Sequence, residues 1–402
     1  GKLPVWLAHR MIPWPSPTDQ DRKAFEDAWR GGSPGVKLFN TVRRAVASYH
    51  GLSPGASAGL ARVVRERNVR AVVALMATGP VMLWGLSRTS PNVVRTWYAA
   101  DDPILHQLSM MRCEERIVPR RGRLRGLVMS SMLEQFLCRR LHGIVAVSPR
   151  DARWLRRNTA VDDVRLIRNG VDLDHFHPQD HVRPLPFSAV FWGRMDFQPN
   201  RDAMRYFCRD IWPHLRAYFP SAMLFIVGKG MRDDDRQRFS QIPGVETVGE
   251  VSDVREWAWR SAVTVLPMRH GHGIKNKLLE AAAMARPIAV SPRAVTGLNW
   301  SADRSPFAIC RSDSQWVSTM ARLWTSEQAA QSLRWAARGW VRREHRWADA
   351  ATQLIDHVNA HLPVTWQLRP RLTWHSTAGD SNNAPTPAAH LPLTIGSART
   401  AA

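Results

Sequence analysis

Apolar residues in this chain recur in short, β-branched runs, each followed by a turn rich in Gly, Asp or Pro and then by a stretch with helical apolar spacing. Short runs bounded by turn signals read as buried strands, and the longer periodic stretches read as amphipathic helices. In the first half the pattern predicts strands at residues 5–9, 69–76, 93–98 and 143–148, and helices from residue 19 and over 36–49, 56–67, 124–141 and 149–157. After a strand at 164–171 the order becomes more regular. Strands at 189–192, 222–227, 245–248, 262–266, 288–291 and 307–310 alternate with helices, and a long helical stretch at 326–361 closes the series. Alternation of this kind predicts doubly wound parallel sheets, whose ligands sit beyond the carboxyl ends of the strands. Two such series predict two α/β units with a cleft between them. Their expected bounds are 1–165 and 166–345, followed by a C-terminal helix at 346–361. From residue 362 onward Pro, Thr, Ser, Ala and Asn dominate, the composition of a disordered tail.

Composition narrows the partner rather than the fold. The 402 residues are 44% hydrophobic, enough for two ordinary cores, and carry a formal charge of +22 with a pI near 11.3. Such a balance implies an anionic partner: nucleic acid, an acidic membrane surface or a phosphorylated substrate. The four cysteines (113, 138, 208 and 310) show no metal or disulfide spacing, which points to a reducing cytoplasm. No signal peptide is visible, though the chain begins with Gly. The most apolar uncharged run, 71–87, is interrupted by Gly79-Pro80 and reads as strand, turn and helix start rather than a membrane span. Membrane contact would therefore be peripheral.

One segment breaks a local rule. In 262–292 an apolar run gives way to a Gly-punctuated loop and then to a predicted helix at 274–285. Arg269, His270, His272, Lys275 and Lys277 crowd its start. The helix macrodipole is already positive there, at a cost of up to about 1 kcal/mol per cation. An anion resolves the conflict, because free backbone N–H groups, the dipole and a lysine pair together form a phosphate site. Lysine is rare in this arginine-rich chain and occurs only at 2, 23, 37, 229, 275 and 277, so its use here suits a compact point charge on phosphate. A solvated lysine pair on a first helical turn is the competing reading.

Several blocks, in order, resemble one known family. They are LAHRMIPWP at the start, RNGV before DLDHFHP, FWGRMDFQPNRDA, FIVGKG, VGEVSDVREW, GHGIKNKLLEAAAMARPIAV and EHRW. The chain resembles the retaining glycosyltransferases of the GT-B type, family 4, and most of all the sugar transferases associated with exopolysaccharide and PEP-CTERM/exosortase loci. The resemblance implies a GT-B fold of two Rossmann-like, doubly wound domains facing across a cleft. The second domain would bind a nucleotide-sugar and the first the acceptor.

What the family does with each block carries over by position. Glu280 matches the second glutamate of E-x7-E, which hydrogen-bonds ribose hydroxyls; a carboxylate accepts both with charge assistance. Gly271, Gly273, Ile274, Lys275 and Asn276 match the loop and helix start that cradle the diphosphate, where a missing Cβ lets backbone approach closely. Gly193, Leu279, Lys229 and Val251 complete the implied donor contacts. Arg194, Lys277 and His272 would sit at the leaving diphosphate, while Asp101, Asp102 and His9 are acceptor-side candidates. For Asp101 and Asp102, a helix N-cap before Pro103 is an equally good reading. Asp233-Asp234-Asp235 reads as an acidic helix start rather than a metal-binding DxD. The family's retaining transfer uses no metal and no cofactor, and works by positioning and charge stabilisation.

The chain departs from the family pattern in three places. His272 stands where the first glutamate of E-x7-E belongs, the N-terminal loop PWPSPTDQDR lacks the usual glycine, with Thr18 near its place, and the region 30–69 offers few strand signals. Arginines at 112–157 surround an apolar helix at 127–137, the layout for docking on an anionic leaflet, with a merely solvated arginine face as the alternative. The expected function is transfer of a hexose from a UDP- or GDP-sugar to a lipid-linked or polysaccharide acceptor at the inner face of the cell membrane. No nucleic-acid partner is expected. The alternatives are a GT-B-fold sugar-nucleotide epimerase and a non-catalytic basic surface-binding protein.

Overall fold

The structure, a computed structural model, describes residues 54–366 apart from 76–78, 101, 103, 106–107, 109–119, 272 and 301–304. The strand expected at 5–9, the helices expected before residue 50, His9, Asp101, His272, the N-terminal loop and the tail from 367 onward lie outside the described residues.

In the first half, α1 (Pro54–Glu66), β1 (Ala71–Leu75), α2 (Gly79–Thr89), β2 (Val94–Ala99), α3 (Arg120–Cys138), β3 (Gly143–Ala146), α4 (Pro149–Asn158) and β4 (Val164–Leu166) follow one another. The four strands pair in parallel in the order β1-β2-β3-β4. β2 and β3 are buried along their whole length, as expected of strands covered on both faces. The segment 71–87 indeed splits into a strand and a helix, with Gly79-Pro80 at the helix start. Ser148 caps α4, its Oγ accepting from the Asp151 N–H at 3.2 Å, an interaction worth about 1 kcal/mol.

The second half contains β5 (Leu185–Trp192), α5 (Gln198–Tyr206), α6 (Trp212–Tyr218), β6 (Met223–Val227), α7 (Asp233–Ser240), β7 (Val245–Gly249), α8 (Val254–Arg260), β8 (Ser261–Leu266), α9 (Asn276–Ala283), β9 (Ile288–Val290), β10 (Ala308–Ile309), α10 (Asp313–Thr325), α11 (Glu327–Glu344) and α12 (Trp347–Asn359). Its sheet is parallel, in the order β10-β9-β8-β5-β6-β7. The chain leaves β5 to one side through β6 and β7 and returns on the other as β8. The β5/β8 pair is therefore the topological switch point, where an open α/β sheet leaves a crevice at its carboxyl edge. Phe191, Ile226, Val265 and Leu279 lie within the single large core beneath it.

The helical stretch expected at 326–361 is not continuous. It breaks at His345 and Arg346, both with extended or irregular backbone, between α11 and α12. The cause is the chain junction at 169–171. His345 Nδ1 lies 2.6 Å from the Asn169 carbonyl oxygen, the Val171 N–H donates to the His345 carbonyl at 3.0 Å, and a side chain at Gly170 would collide with the Trp347 backbone. α12 then leaves the second sheet and packs on the first: Ala350 joins Tyr98, Val145, Val147 and Ile167, and Val358 joins Val94. The helix that ends the second series thus closes the first.

Asp233-Asp234-Asp235 begins α7, as the acidic helix-start reading requires. Asp235 is buried, and the Arg205 Nε–H donates to its Oδ1 at 2.6 Å, so this acid braces α7 against α5.

Candidate functional site

At the switch point the chain turns sharply just beyond β5. Gly193 has φ +152°, and the Gly193 and Met195 N–H groups donate to the carbonyls of Val227 and Lys229, fastening the turn after β5 to the one after β6. A Cβ on Gly193 would stand 2.5 Å from Lys277 Nζ and 2.8 Å from Asn200 Nδ2. The glycine is therefore the space the lysine occupies.

Lys277 lies in the first turn of α9 and reaches back across the crevice to β5. Its ammonium donates to Asn200 Oδ1 at 2.8 Å and sits 4.1 Å from the centroid of the Phe191 ring. Asn200 is itself oriented, its Nδ2 donating to the Arg194 carbonyl at 2.8 Å. Among the described residues no carboxylate forms an ion pair with Lys277. Burial pushes its pKa down to about 7, against a smaller upward pull from the Glu280 charge. A cation held by an amide and an aromatic face, at the mouth of a crevice, lacks the counter-charge that burial ordinarily demands.

The loop feeding α9 has the form expected of an anion cradle. Gly271 and Gly273 have φ +106° and +73°, and Lys275 occupies the N-cap position with no side-chain cap hydrogen bond. Lys275 Nζ contacts the Gly273 carbonyl at 3.3 Å, and a Cβ on Gly271 would meet Lys275 Nζ at 3.3 Å and Pro199 at 3.5 Å. The helix spans Asn276–Ala283 rather than 274–285, so Ile274 and Lys275 remain in the loop that leads into it.

Glu280 stands one turn further along α9. The Trp192 indole N–H donates to its Oε2 at 2.8 Å, and Oε1 is left for another donor. Leu279 is buried and belongs to the core, not the crevice. Ile274 packs on both the second core and the first sheet's cluster around Tyr98, so it ties the cradle loop to the first half. Asn276 meets that half too: the Asn169 Nδ2 donates to Asn276 Oδ1 at 3.4 Å, and the Tyr98 hydroxyl donates to Asn169 Oδ1 at 3.5 Å. Burial raises the Tyr98 phenol to about 12, which keeps it a donor.

The remaining candidates are less central. Arg194 is exposed and pairs with Asp196, its Nε donating to Oδ1 at 3.0 Å and Nη2 to Oδ2 at 2.5 Å; that pairing holds the arginine charged and the Asp196 carboxyl below its usual range. Lys229 is an exposed turn residue 3.2 Å from Glu250, and Val251 packs half-buried against the second core. Asp102 is fully buried, and its Oδ1 accepts from the N–H groups of Ile104 and Leu105 at 2.9 and 2.8 Å. That is the geometry of a cap, and the acceptor-base role expected of Asp102 finds no support in these contacts.

The structure therefore assembles Gly193, Lys277, Gly271, Gly273, Lys275, Asn276 and Glu280 at one crevice and leaves Arg194, Lys229 and Asp102 engaged elsewhere. Sequence reading overlooked Asn200, Trp192 and Asn169. Trp192 directly precedes the GR dipeptide and Asn200 lies 6 residues beyond Arg194, so both carry only a faint signal, and Asn169 sits inside the RNGV junction.

Two family models match the chain. The model described as Glycosyltransferase Family 4 covers residues 12–175, and the one described as Glycosyl transferases group 1 covers residues 186–325. The chain thus carries two glycosyltransferase domains, which indicate a transferase. No curated protein matches. Among solved structures, sucrose-phosphate synthase from Thermosynechococcus elongatus aligns with a TM-score of 0.61 at 17% identity, over 79% of this chain and 77% of that one. HepE of Anabaena, solved with UDP and glucose, gives 0.57 at 11% identity over 77% and 82%. TarM gives 0.58 at 10% identity over 76% of this chain but only 58% of TarM, so this chain spans little more than half of that protein. Together with the two parallel sheets, these likenesses show the GT-B fold.

Proposed function

We propose that this chain transfers a sugar from a UDP- or GDP-sugar to a lipid-linked or polysaccharide acceptor, with retention of configuration and without a metal in the transfer step. The observation that carries the reading is the Lys277 ammonium, packed against Gly193 at the switch point and held by an amide oxygen and an aromatic ring, with no carboxylate ion pair among the described residues. A nucleoside diphosphate supplies the missing negative charge. Its phosphates suit the start of the helix at Asn276 and the glycines before it, with Lys275 and Lys277 as point charges. Glu280 Oε1 is placed to accept from a ribose hydroxyl while Trp192 fixes the other oxygen. His272 fills the position where the family pattern has a glutamate.

In such a site, departure of the diphosphate builds negative charge beside Lys277. Arg194 directly follows Gly193 and joins once Asp196 releases it. Catalysis then consists of charge stabilisation and positioning on one face of the sugar, and requires no protein nucleophile. HepE, whose structure holds UDP and glucose, supports the choice of nucleotide class.

The acceptor side of the reading rests on α3. Leu124, Val128 and Met132 are 55%, 51% and 54% exposed. At i, i+4 and i+8 they form one apolar ridge along the helix. In a chain of charge +22 this ridge suits peripheral docking on an anionic leaflet, where a lipid-linked acceptor would be presented. Among the described residues no helix is long and apolar enough to cross a membrane.

A thermal-shift screen of nucleotide-sugars tests the assignment. At about 100 times its dissociation constant the true donor stabilises by about 2.7 kcal/mol, and Glu280→Ala removes most of that shift at the same concentration. Equal shifts from every nucleotide-sugar in both proteins would defeat it.

A further inference from the structure

At the opposite edge of the first sheet, where the parallel strands begin, three metal-ligating side chains converge. Asp163 immediately precedes β4, His357 lies in the last turn of α12, and His361 follows one turn later. Asp163 Oδ2 is 3.0 Å from His357 Nδ1 and 3.0 Å from His361 Nε2. One ligand atom from each residue falls within 4.8 Å of the others.

Hydrogen bonding does not account for this cluster. His361 Nε2 makes an ordinary bond to the carboxylate. His357 is completely buried: its Nδ1 lies within 3.0 Å of the Asp163 carboxylate without hydrogen-bond alignment, and its Nε2 has no hydrogen-bond partner among the described residues. A buried imidazole aimed at a carboxylate without bonding it is costly unless something else binds there. Room has been made for the rings as well: a Cβ on Gly143, the first residue of β3, would stand 2.5 Å from His357 Nε2 and 3.2 Å from His361 Nε2. His142 lies close by, its ring 6.1 Å from that of His361, but its Nδ1 is occupied by the Arg95 N–H at 3.1 Å.

We propose that Asp163, His357 and His361 form a three-ligand site for a zinc-class divalent metal that pins α12 to the amino edge of the first sheet. The i, i+4 spacing places both imidazoles on one face of a helix, and the carboxylate comes from a loop nearly two hundred residues earlier. Ligand atoms of a tetrahedral zinc ion lie about 3.3 Å apart, close to the 3.0 Å seen, with water in the fourth position. Two imidazoles and one carboxylate select zinc or its transition-metal neighbours over magnesium and calcium, which require oxygen ligands. The site lies at the amino edge of the first sheet, away from the cradle loop, so its role is structural and separate from the proposed transfer step. By fixing α12, it fixes the returning element that joins the second half to the first.

The test is cobalt titration of the full chain, freed of any histidine tag and of bound metal by chelation. One equivalent of Co2+ gives visible ligand-field bands of four-coordinate intensity, zinc abolishes them, and zinc but not magnesium raises the thermal midpoint. His361→Gln, at the more exposed histidine, and Asp163→Asn each weaken cobalt affinity at least about tenfold. Absence of a saturable band in the wild type overturns the proposal, even if His361→Gln lowers the midpoint, since that result describes a hydrogen-bonded latch. Equal cobalt affinity in wild type and both variants, or an equal shift from magnesium, overturns it too.

Discussion

Lys277 shows how a residue can be set against stability for the sake of a ligand. Its charged form is disfavoured in the fold, where the pKa is about 7, but not in the unfolded chain, where it is near 10.5. Between those values the unfolded state binds more protons, so this residue's contribution to stability rises with pH from about 7 to about 10 and is at its worst below 7. Replacing it with an apolar side chain removes that penalty. Lys277→Met is accordingly expected to raise the thermal midpoint of the ligand-free protein at pH 6, with the gain shrinking towards pH 10. Melting curves across that range decide the matter, and a midpoint lowered at pH 6 would show that the lysine is simply a packed core residue. Glu280 and Asn200 act around the same ammonium, one by charge and one by a hydrogen bond, so substitutions among the three are not expected to add.

At the scale of elements, α3 gives the clearest independent expectation. Leu124→Glu with Met132→Glu places two acids on the exposed ridge of the helix and leaves its buried face, Leu133 and Leu137, untouched. Sedimentation with vesicles containing anionic lipid is expected to retain the wild type and release most of the double variant, with folding unchanged by circular dichroism. Retention of both proteins would assign the binding to the arginines alone.

Most of the strands were legible in the sequence because they are short, β-branched and buried on both faces, a pattern with few alternatives. β1, β2, β3 and β6 fall within a residue or two of their expected bounds, and α9 was recognised from its apolar spacing. The misplacements have physical causes. The strand expected at 164–171 stops at Leu166 because the chain must turn through Asn169 and Gly170 to pack on Trp347. The helical stretch at 326–361 breaks at His345 for the same reason, seen from the other chain crossing. Periodicity has no access to a contact between residues 170 and 347. Within the site, Lys275 and Lys277 are legible as conflicts with helix rules, whereas Gly271, Gly273 and Glu280 are legible only through the family resemblance. Asn200, Trp192 and Asn169 were not, because their roles arise only when separate turns meet. The His357 and His361 pair drew no attention for a related reason: its third partner, Asp163, lies in the other half of the sequence.

For the molecule as a whole, the two halves are joined by two adjacent crossings, one at 169–171 and the other at 345–347. Asn169 sits at the first and touches both Tyr98 of the first sheet and Asn276 of the cradle helix. The start of that helix, where the proposed anion would bind, is therefore linked through Asn169 to the first sheet. This arrangement makes the crevice at β5 and β8 the centre of the account, and everything assigned to it presupposes that a nucleoside diphosphate binds there. Titration calorimetry of UDP and of GDP into the intact chain and into Lys277→Met is the most direct measurement. The account predicts that at least one nucleotide binds the wild type with one-to-one stoichiometry and binds Lys277→Met at least about tenfold more weakly, the loss expected when a charged hydrogen-bonding partner is removed. Failure of both nucleotides to bind the wild type, or equal binding to the variant, would contradict it.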